Sequence, residues 1–184
     1  MTTTLNQAHP AFKLALMATL ALVAGGVSIQ SHAAQASATA SGTVVVPMAI
    51  AAAANLGFGS FAAGAGGTVT VSTSGMRTVS GPVLVGGATG AAARFNITGA
   101  PGTTYSISHS GTTVLTNSAG AGETMLLSKC SDLTSANTTS GEVTSGTLSG
   151  AGVQSLYVGG TLTVASGQVP GLYTGTVVAT VEYN

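Results

Sequence analysis

Gly171-Leu-Tyr-Thr-Gly-Thr-Val-Val-Ala-Thr-Val-Glu-Tyr-Asn184 is the stretch from which the rest of the sequence is best read. From Thr176 on, the odd positions carry Val177, Ala179, Val181 and Tyr183, while the even ones carry Thr176, Val178, Thr180 and Glu182. A two-residue period of this kind marks a strand with one face in a core and the other in water. The alternation runs to Asn184 with no polar tail, so this strand is expected either to be paired on both sides or to leave an edge open.

A second alternating strip lies near the other end. Over residues 38–50 the even positions read Ala38, Ala40, Gly42, Val44, Val46, Met48 and Ile50, with Ser37, Thr39, Ser41, Thr43 and Val45 opposite. At about 3.3 Å per residue this strip would extend roughly 40 Å, about twice an ordinary strand, and it is expected to serve two structures. Pro47 cannot donate a ladder hydrogen bond and suits an edge or a bend.

Between the strips, strand signals recur about every eight to twelve residues between turn signals. Leu56-Gly-Phe-Gly59 and Phe61 are expected as core anchors at a bend, and Val69 and Val71 as one face of a strand over 68–72. A strand over 83–85 leads into the loop Gly86-Gly-Ala-Thr-Gly90. Ala93, Phe95 and Ile97 alternate before Gly99-Ala-Pro-Gly102, and Tyr105, Ile107 and His109 alternate after it, which predicts a hairpin. Short strands are expected at 112–116 and 124–128, and a long exposed loop over 132–149. A second hairpin is expected from 154–158 and 161–165 around Gly159-Gly160. No stretch carries a helical period, so the fold class is all-β, a sandwich or barrel.

Lys13, the apolar run that follows it and the small-x-small site Ser31-His32-Ala33 read as a secretory signal peptide over 1–33, with Ala34-Gln35-Ala36 a near rival site. Export through the periplasm to the surface or medium, with no membrane span in the mature form, is the expectation. An extension over 34–43 then precedes a domain over 44–184. The sequence is 45% hydrophobic and 4% charged, which excludes a disordered reading and leaves the surface to Ser, Thr, Asn and Gly. Beyond the leader the charged residues are Arg77, Arg94, Lys129, Glu123, Asp132, Glu142 and Glu182, so there is no basic footprint for nucleic acid.

Catalysis needs convergent nucleophiles, acids and bases or metal ligands. Past the leader there is one histidine, His109, in phase with Tyr105 and Ile107 on a strand, and one cysteine, Cys130, which is expected to act as a small buried hydrophobe. Nucleophile-elbow, phosphate-loop, dinucleotide and paired metal motifs are absent, so neither enzymatic activity nor a cofactor or metal is expected.

The penultimate Tyr183, the glycine Gly171 and the alternation between them resemble the subunits of chaperone–usher pili. That resemblance implies an immunoglobulin-like sandwich lacking its last strand, open along a hydrophobic groove and completed by the N-terminal extension of another subunit. Over most of its length the chain is also similar to a group of secreted bacterial proteins, the domain of unknown function 4402. The matching pieces are Leu56-Gly-Phe-Gly59, Phe95-Asn-Ile-Thr-Gly99, Pro101-Gly-Thr-Thr-Tyr-Ser106, Val158-Gly-Gly-Thr-Leu162 and the glycines and tyrosine of Gly171, Tyr173 and Gly175. On the pilin resemblance, Ala38, Ala40, Gly42, Val44 and Val46 form a candidate donor face. Val177, Ala179, Val181 and Tyr183 form one wall of the acceptor groove, with Gly171 as a backbone turn. The implied function is a structural pilus or fimbrial subunit, with copies of itself, a periplasmic chaperone and an outer-membrane usher as partners. The chain departs from many pilins in that Cys130 alone cannot form their disulfide. The alternative is a self-contained surface adhesin or binding module with a closed sandwich, using the loop over 132–149; the strip from Ala38 would then be its own first strand.

Overall fold

The computed structural model describes residues 33–81, 83–84 and 89–184. The signal segment up to residue 32, and Val85 with the Gly86-Gly87 part of its loop, lie outside the described residues. The chain divides into two units, Met1–Gly42 and Thr43–Asn184. In the first, residues 33–42 form neither helix nor strand and are exposed.

The second unit is all-β among the described residues. Its strands are β1 (Ala49–Ala54), β2 (Phe61–Ala62), β3 (Gly67–Val71), β4 (Arg77–Ser80), β5 (Val83–Leu84), β6 (Ala93–Thr98), β7 (Thr104–Gly111), β8 (Val114–Asn117), β9 (Thr124–Asp132), β10 (Ser145–Thr147), β11 (Val153–Val164), β12 (Tyr173–Thr174) and β13 (Val177–Tyr183). The large sheet runs β1-β6-β11-β9-β8-β12, with β3 on β11 and β4 on β3. A second sheet of order β10-β7-β13 faces it, an arrangement compatible with a β-sandwich, and β2 pairs with β5.

The centre of the large sheet corrects the second expected hairpin. Val153–Val164 is one unbroken strand, and Gly159-Gly160 is not a turn. On one edge β11 changes partner at these glycines, with Val153 to Val158 paired to β6 and Gly160 to Val164 paired to β3; the other edge pairs with β9 across them, from Tyr157 to Thr163. A side chain at Gly159 would run into the Val71 carbonyl and the Cys130 sulfur, and one at Gly160 into Leu127 and the Ser128 carbonyl. These glycines therefore allow close approach of neighbouring chains rather than reversal.

The first expected hairpin is also corrected. β6 lies in the large sheet and β7 in the small one, so Gly99-Ala-Pro-Gly102 carries the chain between sheets. The Gly99 N–H is spent on the Gly152 carbonyl at 2.9 Å, and the Ala100 N–H on the Tyr183 hydroxyl at 2.7 Å, which turns the corner away from β6. The expected loop over 132–149 holds a strand, β10, paired with β7, followed by the buried Leu148. Of the strip over 38–50, only Ala49 and Ile50 lie in a strand, and β1 continues instead through Ala51 to Ala54, where alanines leave no alternation to read.

Alternation holds elsewhere. Val69 and Val71 are fully buried, as are Ile97 and Tyr105, and β13 turns Val177, Ala179, Val181 and Tyr183 inward with Val178, Thr180 and Glu182 outward. The core has two parts. One is sandwiched: Ala93, Ile97, Leu156 and Val158 from β6 and β11 meet Tyr105, Ile107 and Ala179 from β7 and β13, with Leu148 between. The other comprises Val69, Val71, Leu115, Met125, Leu127, Leu162 and Val164, all from the large sheet, capped by Phe58.

Candidate functional site

The second part of the core forms the floor of a groove of about 1120 Å³. Leu115, Met125, Leu127, Leu162 and Val164 line its base. Ala52 and Ala54 of β1, with Leu56 and Phe58 of the following loop and Phe61 of β2, line one side; the chain from Gln168 to Val177 lines the other. The loop is held in place from outside the groove, because the Arg77 guanidinium donates to the Phe58 carbonyl at 2.7 Å and Gly57 bridges to Ala91.

Two strand edges flank this opening. β1 ends the large sheet and β13 ends the small one. They touch, yet among the described residues no ladder joins them and no strand pairs with the outer edge of either. An open edge beside an apolar trough suits an extended segment, whose backbone can continue a ladder while alternate side chains enter the trough.

The sequence-predicted residues fall around this feature in different ways. Val177 lines the groove. Ala179 is buried in the sandwiched part of the core, and Val177 and Val181 pack against it. Tyr183 lies at the far end of β13, where its hydroxyl donates to the Val46 carbonyl at 2.9 Å. On the candidate donor face, Ala38, Ala40 and Gly42 are exposed within the first unit. Val44 is 99% exposed and Val46 55%, just before β1. Gly171 has no left-handed backbone; a side chain there would meet the Asn117 carboxamide at 2.5 Å, so close packing requires the glycine.

Sequence reasoning missed the groove floor and its lip. Leu172 is 68% exposed and Val169 42%, both lining the groove beside Pro170 and Gly171. The readable signal was two large apolar side chains in a proline-glycine turn, where polar residues are the norm.

Polar chemistry lies elsewhere. The Ser131 hydroxyl is 3.0 Å from Nε2 of His109 and accepts the Val143 N–H at 2.9 Å, and Ser131 is buried. Cys130 is fully buried with its thiol toward the Thr138 carbonyl. Burial raises its pKa, the Gly159 N–H lowers it and the charge of Glu142 raises it; the net shift is upward, which keeps the thiol protonated and unreactive. Asp132 organises the loop that follows, accepting from the Thr134 and Ala136 N–H groups and the Thr134 and Thr138 hydroxyls. Partial burial pushes its carboxyl up, but these four donors outweigh that and hold it below the usual range. Among the described residues no group of three or more His, Cys, Asp or Glu could hold a metal, and no helix is long and apolar enough to cross a membrane.

Fold and site together define an all-β domain with an apolar groove beside the unpaired edge of β1 and the start of β13. Residues 48–183 match the model of the domain of unknown function 4402 (DUF4402), and the chain belongs to that family. The matched region takes in all thirteen strands of the described residues and begins at Met48, two residues after Val46. No curated protein matches the chain.

Proposed function

We propose that the chain is a structural subunit of a bacterial surface pilus or fimbria whose copies join by exchanging strands, the strip at residues 34–46 of one copy entering the groove of another. The observation that carries this reading is the pairing of opposites in one chain. A groove with exposed Leu172 and Val169 on its lip opens beside the free edge of β1 and the start of β13, and an apolar strip with Val44, Val45 and Val46 at 99%, 66% and 55% exposure has no core of its own. Burying each such valine is worth about 1.5–3 kcal/mol. The low charge supports the same reading, since the usual lysine guards against edge pairing are missing from β13. Export through the periplasm with a chaperone and an usher belongs to this proposal, and catalysis does not. The test is electrophoresis of the chain in SDS without heating. A ladder of multimers that collapses to one band on boiling, and that is lost when residues 34–43 are deleted, is expected. A single monomer band before heating, with stability unaffected by the deletion, refutes it.

A second reading, a self-contained surface binding module, draws on the loop after Asp132. Left-handed Ser135 and Asn137 and the Asp132 hydrogen bonds hold this exposed loop in one shape, as a binding loop needs. Glycan or host-surface binding that survives deletion of 34–43 and disappears on replacing residues 133–144 would select it.

A further inference from the structure

The point where the strip leaves the domain is itself built. The Tyr183 hydroxyl accepts the Ala100 N–H at 2.7 Å and donates to the Val46 carbonyl at 2.9 Å, tying the end of β13, the corner between the sheets and the root of the strip together. Space for the hydroxyl comes from Gly99, where any side chain would meet it at 2.5 Å. The corner is stiffened by Thr103, whose hydroxyl donates to the Ala100 carbonyl at 2.7 Å and whose own carbonyl takes the Leu148 N–H at 2.9 Å. Val46 precedes Pro47, which confines Val46 to extended backbone.

Around this clamp lies a mostly apolar hollow of about 490 Å³ lined by Val45, Ala100, Thr103, Thr104, Tyr183 and Asn184, with no charged side chain among them. Its position fixes what can occupy it. Gly42 is four residues from Val46, a reach of about 13 Å at most at extended spacing. If the strip lies in another copy's groove, even an insertion that ends at Gly42 brings the body of that copy within this distance of the hollow, and one that continues through Val44 brings it closer. We propose that this hollow is the junction face that abuts the receiving copy, and that Tyr183 is the positioning residue that sets where the strip departs. This rests on the strand-exchange reading and adds the second surface that exchange demands. A mostly apolar face without a charged side chain matches a partner with the same 4% charged composition, a second copy of this chain.

The test places a photo-crosslinking amino acid at Thr104, which is exposed in the hollow, or at Leu126, which is 55% exposed on β9, in the full chain. In polymers, illumination is expected to give cross-linked dimers from position 104 and several-fold fewer from position 126. Thr104→Arg, which places a bulky, strongly hydrated side chain in the junction, is expected to slow assembly on the order of tenfold while leaving the strip and groove intact. Tyr183→Phe is expected to lower cross-linking from position 104 while polymers still form. Polymers that cross-link equally from both positions and assemble at the parent rate with Thr104→Arg overturn the junction face but leave strand exchange standing. Unchanged cross-linking with Tyr183→Phe removes the positioning role alone. A parent chain that never polymerises overturns strand exchange and this proposal with it.

Discussion

One strand, β11, serves two kinds of core. Around Leu156 and Val158 it is met by Tyr105, Ile107 and Ala179 from the opposite sheet. Around Leu162 and Val164, further along the same face, no strand of the opposite sheet arrives, and the apolar side chains floor a groove. The residue types are the same in both halves, so openness here is decided by which elements reach across, not by hydrophobicity. The strand-exchange proposal rests on this half-covered core. The following substitutions probe that difference.

The largest effect is expected where the halves join. Gly159→Val drives a side chain into the Val71 carbonyl and the Cys130 sulfur, and is expected to abolish cooperative thermal unfolding by circular dichroism, a cost above about 4 kcal/mol. A melting curve close to the parent's would show that β11 tolerates bulk at the switch of partners. Next comes the direct contrast between halves, in the chain lacking residues 34–43. Leu156→Ala is expected to cost about 3–4 kcal/mol in a denaturant titration, since Leu156 is enclosed on all sides. Leu115→Ala, on the groove floor, is expected to cost about 1–2 kcal/mol, because its neighbours already face open space. Equal costs erase the distinction.

Smaller effects belong to the polar groups packed over the closed half. Asp132→Ala removes a carboxylate that accepts four hydrogen bonds at a partly exposed site, and is expected to cost about 1 kcal/mol. Its folded pKa is lowered, so its contribution is full above the unfolded carboxylate value of about 3.9 and fades as pH falls through the folded value. The variant should lack that acid-side loss; an unchanged difference between parent and variant down to low pH contradicts the role. The smallest effect is expected from Tyr105→Phe. The Tyr105 hydroxyl is fully buried without a partner and burial raises its pKa, so its removal should be neutral or stabilising by up to about 1 kcal/mol. A clear loss of stability would reveal a partner.

The strands themselves were legible wherever one face is buried and the other is not, as at Val69 and Val71, Ala93 to Ile97, and Val177 to Tyr183. Glycine was the ambiguous letter. Gly159-Gly160 and Gly99 have the composition of turns, but only the neighbours brought up by the fold, Val71, Leu127 and Tyr183, reveal that two of them lie inside a strand and the third makes room for a hydroxyl. The alanines of β1 carry too little side chain for any period to appear. The groove was illegible for a different reason: its walls come from residues 52–63, 93–95, 115–127 and 162–177, and nothing local in any one of them says that the space between stays unfilled. On β13, Val177, Ala179, Val181 and Tyr183 are on the more buried face, and of these only Val177 lines the groove.

The account turns on whether that groove takes this chain's own strip. A fluorescent peptide of residues 34–46, titrated into the chain lacking residues 34–43 and followed by anisotropy and thermal melting, asks this directly. Saturable binding accompanied by a rise in melting temperature, both abolished by Val177→Arg on the groove wall, is the predicted result. A peptide that neither binds nor changes the melting temperature would contradict the account.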